Sequence, residues 1–170
     1  VYRNKLISIS ATRGCPYHCS FCSVHTIWKN QWRCRSIPSI IQEIHSIDDT
    51  FHPKIINFED DNLSYDKEWF GFLLDELIRI NFDNRIEFTA MNGMNYHQLD
   101  ENIIKHMKRA GFKSINLSIS SLNEKDLTCW ERPSGKNSFF KIIKLLREYS
   151  FKITVYFIIG APGQNWKNNA

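Results

Sequence analysis

Short runs of β-branched and apolar residues alternate with amphipathic stretches along this chain, and no hairpin signal falls between them. That alternation is the strongest constraint on the fold. Strand-like segments lie at Leu6–Ser10, Lys54–Phe58, Arg85–Ala90, Lys113–Ser120 and Lys152–Ile159. Pro38–Ile47 carries Ile40, Ile41, Ile44 and Ile47 at helical spacing, with proline near its start. Asp66–Ile80 places Trp69, Phe70, Leu73, Leu74, Leu77 and Ile78 on one face. Asp100–Ala110 is a third helix, stopped by Gly111 in the position where a left-handed residue ends a helix. Asn137–Ser150 is a fourth. Strand, helix, strand, helix without hairpins predicts βα units and a parallel sheet. Right-handed crossovers then put the helices on the outside.

A chain of 170 residues with 42% apolar content buries one ordinary core, so one domain is expected. No run approaches the roughly eighteen apolar residues of a membrane span, and no leader with a cleavage site precedes the first strand. Free cysteines without such a leader suit a reducing cytoplasm. The formal charge of +4 is modest, and Lys and Arg are scattered along helices, so nucleic acid is not indicated. Aromatic residues make up 14%, which reads as core. The chain begins at Val1 and stops at Ala170 just past a strand-like segment, and is expected to be a piece of something longer.

In parallel α/β folds, chemistry sits at the carboxyl ends of the strands. Here those ends are polar or glycine-rich throughout. The first runs into Cys15-Pro-Tyr-His-Cys19-Ser-Phe-Cys22, the second into Glu59-Asp60-Asp61-Asn62, the third into Met91-Asn92-Gly93. Ser118, Ser120 and Ser121 close the fourth, and Gly160-Ala161-Pro162-Gly163 the fifth. Three cysteines on one short loop can hold three corners of a 4Fe-4S cube and leave the fourth iron open to a small molecule. A structural zinc site shows two separated ligand pairs, whereas Cys34 and Cys129 each stand alone. His18 or His25 would have to complete it. Five cysteines do not suggest a disulfide framework.

The C-x3-C-x2-C spacing, with Phe21 before the last cysteine, resembles the signature of the radical S-adenosylmethionine enzymes. The likeness extends through Thr12-Arg13-Gly14-Cys15-Pro16-Tyr17, Trp32-Arg33-Cys34-Arg35-Ser36, Phe58-Glu59-Asp60-Asp61-Asn62 and Asn92-Gly93. Met107-Lys108-Arg109-Ala110-Gly111-Phe112 and Tyr156-Phe157-Ile158-Ile159-Gly160-Ala161-Pro162-Gly163 complete the set. It is most similar to the branch that carries a cobalamin-binding domain. The resemblance implies an α/β fold, a partial (βα)6 TIM-like barrel, here truncated after about the fifth strand. Residues 1–170 would then be a core domain lacking its sixth βα unit and any cobalamin-binding or C-terminal domain.

The resemblance further implies that Cys15, Cys19 and Cys22 ligate a 4Fe-4S cluster. The open iron would chelate S-adenosylmethionine, whose reductive cleavage gives a 5′-deoxyadenosyl radical. Phe21 would pack near the adenine, with Ile158 and Gly160 lining its pocket, although Ile158 also suits a plain core. Asp60 and Asp61 fall where the family contacts the methionyl amino group, or where one would cap the next helix; the sequence does not separate the two. Ser118 and Ser120 fall near the ribose or methionine part, where many relatives carry a glutamate at the position of Ser120. Arg132 matches an arginine that contacts the methionine carboxylate, or else makes a surface salt bridge.

Methyl transfer would need cobalamin, held outside this chain. The implied partners are a small-molecule, lipid or tetrapyrrole-like substrate and a reductant such as flavodoxin or ferredoxin. No residue stands out as the hydrogen donor or general base. Alternatives are a methylthiotransferase-type enzyme and a non-catalytic zinc or iron–sulfur module. Arg33 and Arg35 either contact the cysteine loop or a substrate, or are ordinary exposed arginines. His45, His52, His97 and His106 read as surface or internally satisfied histidines, and Cys34 and Cys129 as small buried apolar residues.

Overall fold

The computed structural model describes residues 6–133, 135–162 and 164. All five expected strands form: β1 (Leu6–Ile9), β4 (Ile55–Phe58), β5 (Glu87–Thr89), β6 (Ser114–Ser120) and β7 (Lys152–Phe157). They run parallel. Leu6 faces Ile55, Ile55 faces Glu87, and Ser114 faces Lys152 across the ladders. Two parallel bridges, Phe88 to Phe112 and Met94 to Leu117, join the β1-β4-β5 sheet to the β6-β7 pair. The α/β class and parallel order are therefore as the alternation predicts, and Gly163 lies outside the described residues.

Crossover helices α2 (Ile37–Phe51), α3 (Lys67–Ile80), α4 (Glu101–Ala110) and α6 (Lys136–Glu148) cover one face. Their stripes (Ile40, Ile44; Leu73, Leu77; Ile104, Met107; Phe139, Leu146) meet the strand residues Ile56, Phe58, Phe88, Ile115 and Leu117, nearly all fully buried. Phe58 and Phe112 stack at 6.4 Å between centroids, with Phe88 tilted against both. The Asp66 side chain caps α3 by accepting the Trp69 N–H at 2.9 Å, and Asp100 caps α4 through the Ile103 N–H at the same distance. Gly111 ends α4 at φ +109°. A Cβ there would stand 2.6 Å from the Asn81 amide nitrogen and 2.8 Å from the Ile86 carbonyl. Among the described residues no helix is long and apolar enough to cross a membrane.

Because strand side chains alternate between faces, the opposite face of the sheet is polar. Ser8, Asn57 and Thr89 lie side by side there. The Asn57 carbonyl oxygen accepts the Thr89 hydroxyl at 3.0 Å and the Met91 N–H at 2.9 Å; its amide donates to Glu59 at 2.5 Å. Further along, Asn116 donates to the Met91 carbonyl and to the Tyr156 hydroxyl. A hydrogen-bonded chain thus lines the face of the sheet away from the helices.

The absence of hairpin signals predicted no antiparallel pairing, and the structure corrects that. β2 (Thr12–Arg13) and β3 (Arg33–Cys34) form an antiparallel ladder that closes residues 14–32 into a loop. Two residues per strand leave no periodicity to read. Two short helices, α1 (Val24–Trp28) and α5 (Glu124–Cys129), and a 3₁₀ turn at Tyr96–Gln98 were likewise not expected. Nor are Cys34 and Cys129 buried: both are exposed, one on the small ladder and the other ending α5.

Candidate functional site

The cysteine loop leaves β2 through Gly14 at φ +86°. Any Cβ at this point would sit 2.0 Å from the Gln31 carbonyl oxygen, so the close approach of the loop's two ends requires glycine. The acidic pair after β4 holds this entrance. Asp60, 3% exposed, accepts the Ala11 N–H at 3.1 Å and the Thr12 hydroxyl at 2.6 Å, and takes the Thr12 N–H as well. Asp61 accepts the Gly14 N–H at 3.0 Å. Burial pushes the Asp60 carboxyl above the usual range, against the pull of its donors on Thr12 and Ala11. Neither aspartate caps α3, since Asp66 does.

Within the loop, the Cys22 N–H donates to the Cys19 carbonyl at 2.9 Å in a tight turn. The Ser20 N–H reaches the Trp130 carbonyl at 3.0 Å, and the Phe21 ring meets the Trp130 ring edge-on at 5.6 Å. Phe21 keeps 43% exposure. Cys19 is buried; Cys15 and Cys22 are half-buried. Two sulfurs carry N–H donors from other strand ends. The Asn62 amide points at Cys15 Sγ at 3.4 Å, and Arg132 Nη1 at Cys19 Sγ at 3.7 Å. Arg132 Nη2 also donates to the Ser118 carbonyl at 2.7 Å, which fixes the guanidinium between β6 and the loop.

Burial pushes the Cys15 thiol up, while the Tyr17 backbone and Asn62 pull it down and the neighbouring Cys19 and Cys22 push it further up. A Cys15 thiol raised in this way takes up a metal as its proton leaves. Among the described residues no three His, Cys, Asp or Glu side chains gather as a single ion requires. A lone zinc draws all its donors to within about 2.0–2.3 Å of one point. A four-iron cube takes its thiolates at separate corners, and three cysteines on one loop, two of them with N–H donors on sulfur, suit three such corners.

Of the predicted site residues, the structure ties the loop that carries Cys15, Cys19, Phe21 and Cys22 to Asp60 and Asp61 at its entrance and to Arg132 at Cys19, with Ser118 joined through its carbonyl. Ser120, Ile158 and Gly160 form an adjoining cluster. Ser120 sits in a bulge at φ +71°, buried, and its carbonyl accepts the Ile158 N–H at 2.8 Å. Ile158 is half-buried, and open space surrounds Gly160. The Gln164 amide, donating to the Ile158 carbonyl and to Asp126, ties this cluster to α5. Asn62, Trp130 and Gln164 are residues that the sequence reading did not single out. Asn62 stood inside a quoted motif, but its target is set by the loop conformation.

A sequence profile of the radical SAM superfamily matches residues 9–169. Among curated proteins the chain is 28% identical over 168 residues to a bacteriochlorophyllide d C-12(1)-methyltransferase of Chlorobaculum tepidum, covering 97% of this chain and 36% of that protein. It is 24% identical to a cytidylyl-2-hydroxyethylphosphonate methyltransferase of Streptomyces wedmorensis, over 89% of this chain and 28% of the relative. The chain thus spans about a third of the length of these relatives. Among solved structures, the radical S-adenosylmethionine methyltransferase TsrM from Kitasatospora setae, with cobalamin and a [4Fe-4S] cluster bound, superimposes at a TM-score of 0.88. Identity there is 20%, over 98% of this chain and 33% of that one.

Proposed function

The chain belongs to the radical SAM superfamily, and from that premise we propose that it is the cluster- and S-adenosylmethionine-binding core of a cobalamin-associated enzyme. The whole protein would supply the sixth βα unit of the partial barrel and the cobalamin-binding domain. Its matched relatives, about three times this length, support that division. The observation that carries the reading is the clamped loop. Three cysteines sit on a segment held at its entrance by Asp60 and Asp61, and two of their sulfurs receive N–H donors from Asn62 and Arg132.

When bound, the cluster and S-adenosylmethionine supply an electron and a 5′-deoxyadenosyl radical for hydrogen abstraction or methyl transfer. The protein's residues place and tune. Cys15, Cys19 and Cys22 would hold the cluster, and the N–H donors of Asn62 and Arg132 on two of the sulfurs would raise its reduction potential by favouring the more negative reduced state. Phe21, held edge-on by Trp130, offers an apolar surface to the adenine, beside Ile158 and Gly160. Asp60 and Asp61 keep the loop closed; Asp61, which among the described residues takes the Gly14 N–H, retains capacity for a cationic ammonium. Ser118, Ser120 and Arg132 border the remaining contour, the arginine suited to a carboxylate. The substrate would meet the polar face of the sheet, a small-molecule, lipid or tetrapyrrole-like compound, with electrons from a flavodoxin or ferredoxin.

Anaerobic reconstitution followed by electron paramagnetic resonance tests this. Wild type, C34A and C129A should give a reduced 4Fe-4S signal that changes on adding S-adenosylmethionine, and C15A, C19A and C22A should lose it. A zinc-filled protein, or a cluster indifferent to S-adenosylmethionine, would refute the reading.

A further inference from the structure

Two arginines lie outside this machinery without a partner of opposite charge. On the small antiparallel ladder Arg13 and Arg33 stand directly opposite each other and therefore share a face. Like charges in that relation repel and weaken the pairing. Yet among the described residues neither guanidinium meets a carboxylate, and both lie instead over the Trp28 ring, at 5.8 and 5.5 Å from its centroid. A guanidinium that stacks by its face keeps its edge, where all five N–H bonds point, free for a ligand.

Their surroundings do not fully neutralise them. Both line a cavity of about 600 Å³ that also takes in Ser8, Ser10 and Glu59, with Arg35 and Glu43 beside them, along the edge strand β1. The third arginine there, Arg35, is occupied by Glu43, the Ser39 hydroxyl and the Ser10 carbonyl. Glu59 is engaged by the Ser8 hydroxyl at 3.1 Å and the Asn57 amide. Arg35 and Glu43 thus neutralise each other, and Glu59, held by neutral donors, leaves the two arginine charges facing one carboxylate.

We propose that Arg13 and Arg33 form an anion subsite that binds an oxyanion group of the substrate, either phosphate-type or carboxylate. An oxyanion between the forks relieves the cross-strand repulsion and takes paired, charge-assisted hydrogen bonds. The assignment to substrate rests on the reading of the cysteine loop given above, because Arg13 and Arg33 stand paired where the two ends of that loop meet. Anion binding by itself does not depend on that reading.

The test is calorimetric titration of the full chain, before and after cluster reconstitution, with inorganic pyrophosphate and with glutarate at constant ionic strength. Wild type should bind one of them saturably, and R13Q and R33Q should each bind about tenfold or more weakly, as loss of a charge-assisted pair implies. R13K should recover only part, and R79Q, on the outer helix, should match wild type. Preference for pyrophosphate assigns a phosphate-type group, and preference for glutarate a carboxylate. Without added anion, R13Q and R33Q should melt close to wild type, since each removes a repulsion together with a contact on the Trp28 ring. Absence of saturable binding, equal binding by the glutamine variants, or variants that melt well below wild type without anion would overturn the subsite. A chain that binds anion but shows no S-adenosylmethionine-sensitive cluster would fail the function proposal and leave the subsite standing.

Discussion

Replacing Asp60 by alanine tests what the acidic pair is for. The substitution removes the acceptor of two backbone N–H groups, on Ala11 and Thr12, and of the Thr12 hydroxyl, all in a buried setting. Each buried donor left without a partner costs about 1–3 kcal/mol. The hydroxyl can rotate, so two N–H groups at mid-range amount to about 4 kcal/mol. Against that, the carboxylate is itself disfavoured by burial, which the shift of Asp60 to the raised side records. The net loss should be about 2–4 kcal/mol. With a urea slope of about 2 kcal/mol/M for a chain of this class, the midpoint should fall by about 1–2 M. D61A, which frees only the Gly14 N–H, should cost about 1 kcal/mol. Equilibrium urea unfolding of the cluster-free protein, followed by tryptophan fluorescence, gives both values. If D60A unfolds within about 0.5 kcal/mol of wild type, the size of an ordinary surface change, Asp60 does not hold the loop and the argument fails.

G14A should lower stability by at least about 2 kcal/mol and reduce iron loading, since a left-handed alanine is strained and its Cβ would overlap the Gln31 carbonyl; urea midpoints and iron content per chain check it. R132Q takes a cationic donor from Cys19 and should make the potential of the reconstituted cluster more negative in a redox titration, whereas an unchanged potential would assign the guanidinium to another group. D100A should cost about 1 kcal/mol through loss of the α4 cap. Burial works to raise the Asp100 carboxyl, but the Ile103 N–H and the Lys67 ammonium outweigh it and hold it below the usual range. That benefit is present above the unfolded value of about 3.9 and disappears as pH falls through the folded one, so the melting curves of D100A and wild type should converge in acid.

The strands and crossover helices were legible because burial imposes a period on them. Ile40, Ile44, Leu73 and Leu77 could face only inward, and Gly111 and Asp66 mark their helix ends by local chemistry. Helix α2 runs on to Phe51, past the expected stop at Ile47, because its last turn is too polar to register as a stripe. The ladder of Thr12 and Arg13 with Arg33 and Cys34 was invisible because its pairing is tertiary and too short for any pattern. The same limit applies at the site. Charge complementarity suggested an ammonium or a helix cap as partners for Asp60 and Asp61, and which N–H groups a carboxylate meets is decided only when β1 and β4 are side by side. The three cysteines stand on one short stretch of sequence, so singling them out needed no such information.

The sheet also has a seam, and it bears on how the chain assembles. Residues 6–89 complete one set of parallel ladders and residues 114–157 another, while two bridge pairs span the gap between them. Each half closes its own loops from a contiguous stretch of sequence, the condition for folding as a separate cooperative unit before docking. Cys15, Cys19 and Cys22 belong to the first unit, and Trp130 and Arg132, which lie against them, to the connection within the second. If the two halves dock after each has formed, that step also completes the cysteine loop's surroundings, and iron delivered before it would reach three sulfurs still lacking the Arg132 donor.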